Sequence, residues 1–224
     1  MPEGLAWDTA VFGKFFKHIQ GDFPALEPVT SAGLQVQLTS GRVGFLPPQS
    51  RMRYTHASRN LLLQLSEGII TVNVLPKYAG WAQMQSDVVQ AWTSAKEVLN
   101  PTGIVRVGIR YINFIPKASN DEAPGEWFAA NDYVAKAALA SQSGFLSRVE
   151  VHNASQRRAI VTLGEAAEAE APMFVLDIDC IDEGADGEFL DLPPVLTRLH
   201  DMAWEIFGGF MTPRMRLLLE GGAF

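Results

Sequence analysis

Between Arg51 and Leu75 the chain alternates apolar and polar side chains in three short runs, Arg51–Ala57, Asn60–Ser66 and Ile69–Leu75, parted only by turn-sized gaps. Successive side chains of a strand point to opposite faces, and gaps this short allow no crossover, so neighbouring runs must pair antiparallel. Leu34–Leu38 alternates in the same way, after a Pro-containing stretch, Phe23–Gly33, that reads as a loop. Helical periodicity flanks this block. Val11, Phe12, Phe15, Phe16 and Ile19 follow Asp8, a candidate N-cap, and stop at Gln20-Gly21. Downstream, Trp81, Met84, Val88, Val89, Trp92, Ala95 and Leu99 make an apolar stripe over Gly80–Asn100, which ends at Pro101.

The second half uses the same ingredients in another order. Ile104–Ile115 predicts a long strand, Pro116–Pro124 a polar loop and Glu126–Ala140 a helix opened by Trp127-Phe128. Phe145–His152, Arg158–Gly164 and Met173–Ile181 read as strands, with the acidic, Ala-rich Glu165–Ala171 between the last two. Asp191 caps a helix whose first turn accepts Pro193 and Pro194 and which runs to Gly208-Gly209; Thr212-Pro213 starts a short last helix.

The halves thus read α-β-β-β-β-α and β-α-β-β-β-α. The predicted class is α+β: a mostly antiparallel, curved sheet with long helices on one face. Residues 1–224 are read as a single intertwined domain with pseudo-halves 1–102 and 103–224. Tandem duplication of a βαβββα-type unit would account for the order. The architecture then resembles the TBP-like or helix-grip folds, a likeness of topology that carries no function.

Several function classes fall away. Cys180 is the sole cysteine, so an intrachain disulfide and a Cys-rich zinc site are excluded. The opening MPEGLAWDTAVFGKFF lacks the basic start and apolar run of a signal peptide, and no stretch reaches the roughly 20 apolar residues of a membrane span. Cytoplasmic residence, with no membrane partner, is the expectation. The net charge of −7 divides into +3 over residues 1–116 and −10 over residues 117–224, which disfavours a nucleic-acid partner. GxSxG, the Gly-rich loop ending GK[ST], GxGxxG and HExxH are all missing, and no cofactor is implied. His18, His56, His152 and His200 are scattered, and Cys180 lies in an apolar run as a small core residue.

One block of motifs stands out: Arg51-Met52-Arg53-Tyr54, Leu63-Gln64-Leu65, Val72-Asn73-Val74, Tyr78-Ala79-Gly80-Trp81 and Arg106-Val107-Gly108-Ile109-Arg110-Tyr111-Ile112-Asn113. This string resembles a sporadically distributed bacterial family of uncharacterised proteins. The likeness continues through Leu176-Asp177-Ile178-Asp179 and into Leu199-His200, Ile206-Phe207 and Met211-Thr212. It implies kinship and no activity. It also implies a further strand ahead of the first helix, for which Met1–Trp7 is short and polar.

Candidate chemistry concentrates in that block. Alternation puts Arg106, Gly108 and Arg110 on one strand face, with two guanidiniums about 7 Å apart across a glycine, a spacing suited to a phosphate or carboxylate. Arg51 and Arg53 repeat the spacing, and Gln64 and Asn73 supply neutral donors on the strands between. Tyr78 and Tyr111 add hydroxyls. Asn113 belongs to the motif, but joins Arg110 on one face only through a bulge. The binding set is therefore Arg51, Arg53, Gln64, Asn73, Tyr78, Arg106, Arg110, Tyr111 and Asn113, lining one polar groove for a small anionic ligand or a protein partner. Against it stands a solvated face whose arginines pair with acids of the second half. Asp177 and Asp179 share a strand face and are the weak candidates for a metal or for acid–base work, with Asp182, Glu183, Asp186 and Glu188 behind them in a loop that does not match an EF-hand.

The favoured reading is a non-enzymatic binding or interaction protein; the alternative is an enzyme acting on a phosphorylated or carboxylated small molecule through the Arg pair and Asp177/Asp179. Phe210, Met211, Leu217, Leu218 and Phe224 are a candidate apolar patch for a homodimer.

Overall fold

The computed structural model describes residues 9–37, 42–117, 119, 121–140, 144–152, 156–166, 172–184 and 191–221, with backbone alone over 30–37 and 42–50. Asp8, Met1–Trp7, Asp186, Glu188 and Phe224, and most of the Glu165–Ala171 stretch, lie outside the described residues. The protein is α+β, with two four-stranded antiparallel sheets. The chain divides into two compact units, Met1–Gly103 and Ile104–Phe224, and each carries one of the sheets. The strands expected to form one sheet are thus shared between two.

The first unit runs α1 (Ala10–Ile19), β1 (Ala25–Gln37), β2 (Arg42–Thr55), β3 (Leu61–Ser66), β4 (Ile69–Val74) and α2 (Trp81–Leu99), with sheet order β1-β2-β3-β4. The expected meander is present, and it is longer at its start. Pro28 sits within β1, which tolerates it because β1 is an edge strand and needs no second partner for that nitrogen. The β1–β2 register breaks between Ser31 and Gly33, opposite the stretch holding Pro47 and Pro48, so the break absorbs two residues that cannot donate to a ladder.

Leu61, Leu63 and Leu65 of β3 face inward and pack with Tyr54, Phe15, Ile19, Ala91 and Ala95. Tyr54 is fully buried; its ring meets Phe15 edge-on at 5.3 Å and its hydroxyl donates to the Phe12 carbonyl at 3.1 Å. Burial pushes its phenol pKa well up. The deepest residues of α2 are Asp87, Ala91 and Ala95, one turn apart, and two of the three are small. The helix ends at Asn100, whose φ of 43° is the left-handed cap that asparagine tolerates, just before Pro101.

The second unit runs β5 (Val107–Pro116), a 3-10 turn (Pro124–Glu126), α3 (Lys136–Leu139), β6 (Leu146–His152), β7 (Arg157–Glu165), β8 (Met173–Asp182), α4 (Leu192–Phe210) and α5 (Pro213–Leu219), with sheet order β5-β8-β7-β6. In both units three successive strands pair in chain order and a fourth closes beside the third. In the first unit that strand, β4, follows; in the second, β5 precedes. Helix α4 packs on β5 and β8 through its buried Val195, Leu196, Leu199, Ala203 and Ile206.

The helix expected over Glu126–Ala140 does not form. The segment holds the 3-10 turn, an antiparallel bridge from Phe128 to Met211, a second bridge from Asn131 to Val134, and a single helical turn. The Asn131 carboxamide oxygen accepts from the Tyr133 and Val134 backbone N–H groups at 2.8 and 3.2 Å, a local bond that competes with helix. Trp127 and Phe128 are buried as expected, and Phe128 meets Phe174 and Phe210 edge-on. Phe210 is itself fully buried, so it leaves the candidate dimer patch; Leu217 and Leu219 are exposed.

Candidate functional site

Alternation along β5 predicts its two faces correctly. Val107, Ile109 and Ile115 are buried on the side that α4 covers, while Gly108, Arg110, Ile112 and Phe114 face the other way. Tyr111 and Asn113 belong to the covered side. The Tyr111 hydroxyl lies within hydrogen-bond distance, 3.0 Å, of His200 Nδ1 on α4, and burial holds that imidazole below its usual pKa. Asn113 Nδ2 donates to the Leu176 carbonyl at 3.0 Å. The β5–β8 register runs unbroken from Val107 to Pro116, so no bulge turns Asn113 toward Arg110.

The other face of this sheet is ordered in rows across its four strands. Gly108, Ile181, Arg158 and His152 form the first; Arg110, Asp179, Ile160 and Glu150 the second; Ile112, Asp177, Thr162 and Arg148 the third; Phe114, Val175, Gly164 and Leu146 the fourth. Charge gathers in the first three rows. Arg110 donates from Nε to Asp177 Oδ1 at 2.8 Å and from Nη2 to Oδ2 at 2.5 Å, and this bonding raises the guanidinium pKa further. Arg158 reaches Glu150 at 2.8 Å and Glu183 at 2.9 Å, and it holds the Glu150 carboxyl below the usual range. Asp179 is pushed up by burial, an effect that Arg110, Arg106 and Arg158 oppose. The fourth row is apolar: Phe114 is 62% and Leu146 74% exposed, and Ile112 beside them 49%. Gly164 keeps that row flat, since a Cβ there would come within 3.1 Å of Leu146 Cδ1 and 3.2 Å of the Phe145 carbonyl.

Arg51, Arg53, Gln64 and Asn73 stand in the first unit's sheet. Glu27, Arg53, Gln64 and Thr71 make one cross-strand row, and Asn73 lies opposite Leu62 on the same face. Arg53 Nε donates to Glu27 Oε1 at 2.7 Å, and its Nη2 pairs with the same oxygen. Asn73 Nδ2 is buried with no hydrogen-bond partner among the described residues. Tyr78 lies in the segment before α2 and is half-exposed. Arg51 and Arg53 therefore stand in a different sheet from Arg110, Arg106 lies just ahead of β5 rather than within it, and Arg53 and Arg110 are each bound by a carboxylate. Among the described residues no cluster of three or more His, Cys, Asp or Glu is arranged to hold a metal.

Sequence reasoning missed a polar cluster in the first unit. Asp87 is buried on α2; Arg59 donates to both its oxygens at 2.9 and 3.2 Å, and Gln83 Nε2 donates at 3.0 Å. His56 Nδ1 accepts from the Ser58 and Arg59 backbone N–H groups at 3.1 and 3.2 Å. Asp87, Arg59 and His56 line, with His18, Asp22 and Phe23, a small cleft of about 40 Å³, room for water and not for a metabolite. The bonding makes it a lock between the β2–β3 turn and α2. Its sequence signal is a lone aspartate one turn from Gln83 and one turn from Ala91.

No helix among the described residues is long and apolar enough to cross a membrane. Comparison with protein-family models, curated proteins and solved structures finds no match.

Proposed function

We propose that this chain is a non-enzymatic interaction protein whose second unit offers the outer face of the β5-β8-β7-β6 sheet to a protein partner. One observation carries the reading: on that face Arg110 and Arg158 are already held by carboxylates, while Phe114, Leu146 and Ile112 stand exposed. A small anion would have to displace Asp177 from a bidentate bond. A protein surface needs only to cover the apolar row and leave the charge pairs as its polar rim. The alternative, an enzyme using arginines with Asp177 and Asp179, draws support from their closeness, but the Arg110–Asp177 bond commits both groups to each other. Cytoplasmic residence and kinship with the uncharacterised bacterial family belong to this proposal.

A photo-crosslinking residue at Leu146 tests it in the native host. The expected outcome is a discrete protein adduct that is missing when the same residue stands at Lys14, on the first unit's helix α1. A saturable rise in melting temperature with phosphate, a nucleotide or a carboxylate, abolished by Arg110→Ala, would overturn it in favour of a small ligand.

A further inference from the structure

The edges of the two sheets differ in how they are guarded. An edge strand exposes a row of N–H and C=O groups that templates pairing with another chain, and proteins blunt it with charges, proline, register breaks or brevity. Strand β1 carries Pro28 and a register break. Strand β4 is 6 residues long. Strand β6 presents Arg148, Glu150 and His152 within 7 residues. Strand β5 is the least guarded: it spans 10 residues, pairs with β8 without a break, holds a single charged side chain and meets proline only at its last position. Among the described residues no strand occupies its second edge.

We infer that β5 pairs antiparallel with β5 of a second copy, about a two-fold axis through Ile112. The inference deepens the proposed function by naming the occupant of this edge, and it rests on reading this sheet as an interaction surface. Directly opposed residues share a sheet face, so the axis must pass through a residue and not between two. An axis at Arg110 would oppose two guanidiniums, which is destabilising. An axis at Tyr111 would set Phe114 against Gly108. An axis at Ile112 sets Ile112 against its own copy and Arg110 against Phe114, the ring's face to the cation, on the outer side. On the inner side it sets Ile109 against Ile115, and Tyr111 against Asn113. Ile112 and Phe114, both exposed in the single chain, are thereby covered.

Cysteine crosslinking of the full chain reads this register. Cys180 is fully buried and its thiol is pushed up to about 12, so it stays silent. Under mild oxidation Ile112→Cys should give a covalent dimer on a non-reducing gel, whereas Leu146→Cys, more exposed and on the opposite edge strand, should not. Arg110→Cys and Phe114→Cys should each stay monomeric alone and join when mixed. Ile112→Cys crosslinking no better than Leu146→Cys would overturn the inference. So would sedimentation of the wild type as a monomer at about 100 µM, where even a small interface of this kind associates. A monomer that still yields a partner adduct from Leu146 would sink the self-pairing alone.

Discussion

Arg110 lies directly opposite Asp179 in the β5–β8 ladder, yet its guanidinium grips Asp177, two residue pairs further along and on the same face. Asp179 itself is partly buried, and that burial raises its carboxyl against the opposing pull of Arg110, Arg106 and Arg158.

A pH dependence follows from that raised value. A carboxyl whose folded pKa exceeds its unfolded pKa binds more protons when folded, so its contribution to stability falls as pH rises through the folded pKa. Asp179→Asn should therefore be more stable than the wild type at pH 7, and the gain should shrink as pH drops below the carboxylate range. Urea denaturation across pH checks this; an Asp179→Asn variant less stable at neutral pH would show that the carboxylate is favourably held.

Arg110→Ala should cost about 1 kcal/mol, since the guanidinium is half-exposed although its partner is mostly covered. The same change should raise the Asp179 carboxyl further, because Arg110 is the largest influence lowering it. Chemical denaturation reads the first effect and carboxyl NMR titration the second.

Removing Arg59 strands a buried carboxylate. Arg59→Met should cost about 3 kcal/mol, whereas the double variant Arg59→Met/Asp87→Leu should recover most of it by removing the charge as well. A double variant no more stable than Arg59→Met would mean that the pair orders the turn by its hydrogen bonds rather than by charge compensation.

Tyr54→Phe keeps the packing against Phe15 and deletes the bond to the Phe12 carbonyl, so it should cost about 1 kcal/mol with an unchanged denaturant slope.

Cys180 should resist a thiol reagent at pH 8 in the native protein and react stoichiometrically in denaturant, because its thiol is buried and pushed up to about 12. Rapid native labelling would show that the β8 core opens.

Much of the local structure was legible. Period-two alternation identifies β3, β4, β5 and β8 and puts Arg110 outward and Ile109 inward, since a strand has only two faces. Apolar spacing identifies α2 and α4. The Glu126–Ala140 stretch misled because Asn131 closes a local turn, and Pro28 misled because proline is excluded from central strands and not from edges. In the candidate site, Arg53 and Arg110 were recognised as outward guanidiniums, whereas Asn113 and Tyr111 proved to serve the helix-covered face.

The amino-acid sequence alone determined the α+β class, the antiparallel sense of its strands and which residues of each strand share a face, because these follow from periodicities a few residues long. The tertiary structure decided that there are two sheets, that β5 joins β8, and that Arg53 and Arg110 are each held by a carboxylate. Glu27 lies 26 residues from Arg53, and Asp177 lies 67 residues from Arg110. Pairing across such distances is selected by register and by burial against α1, α2 and α4, which no local pattern encodes.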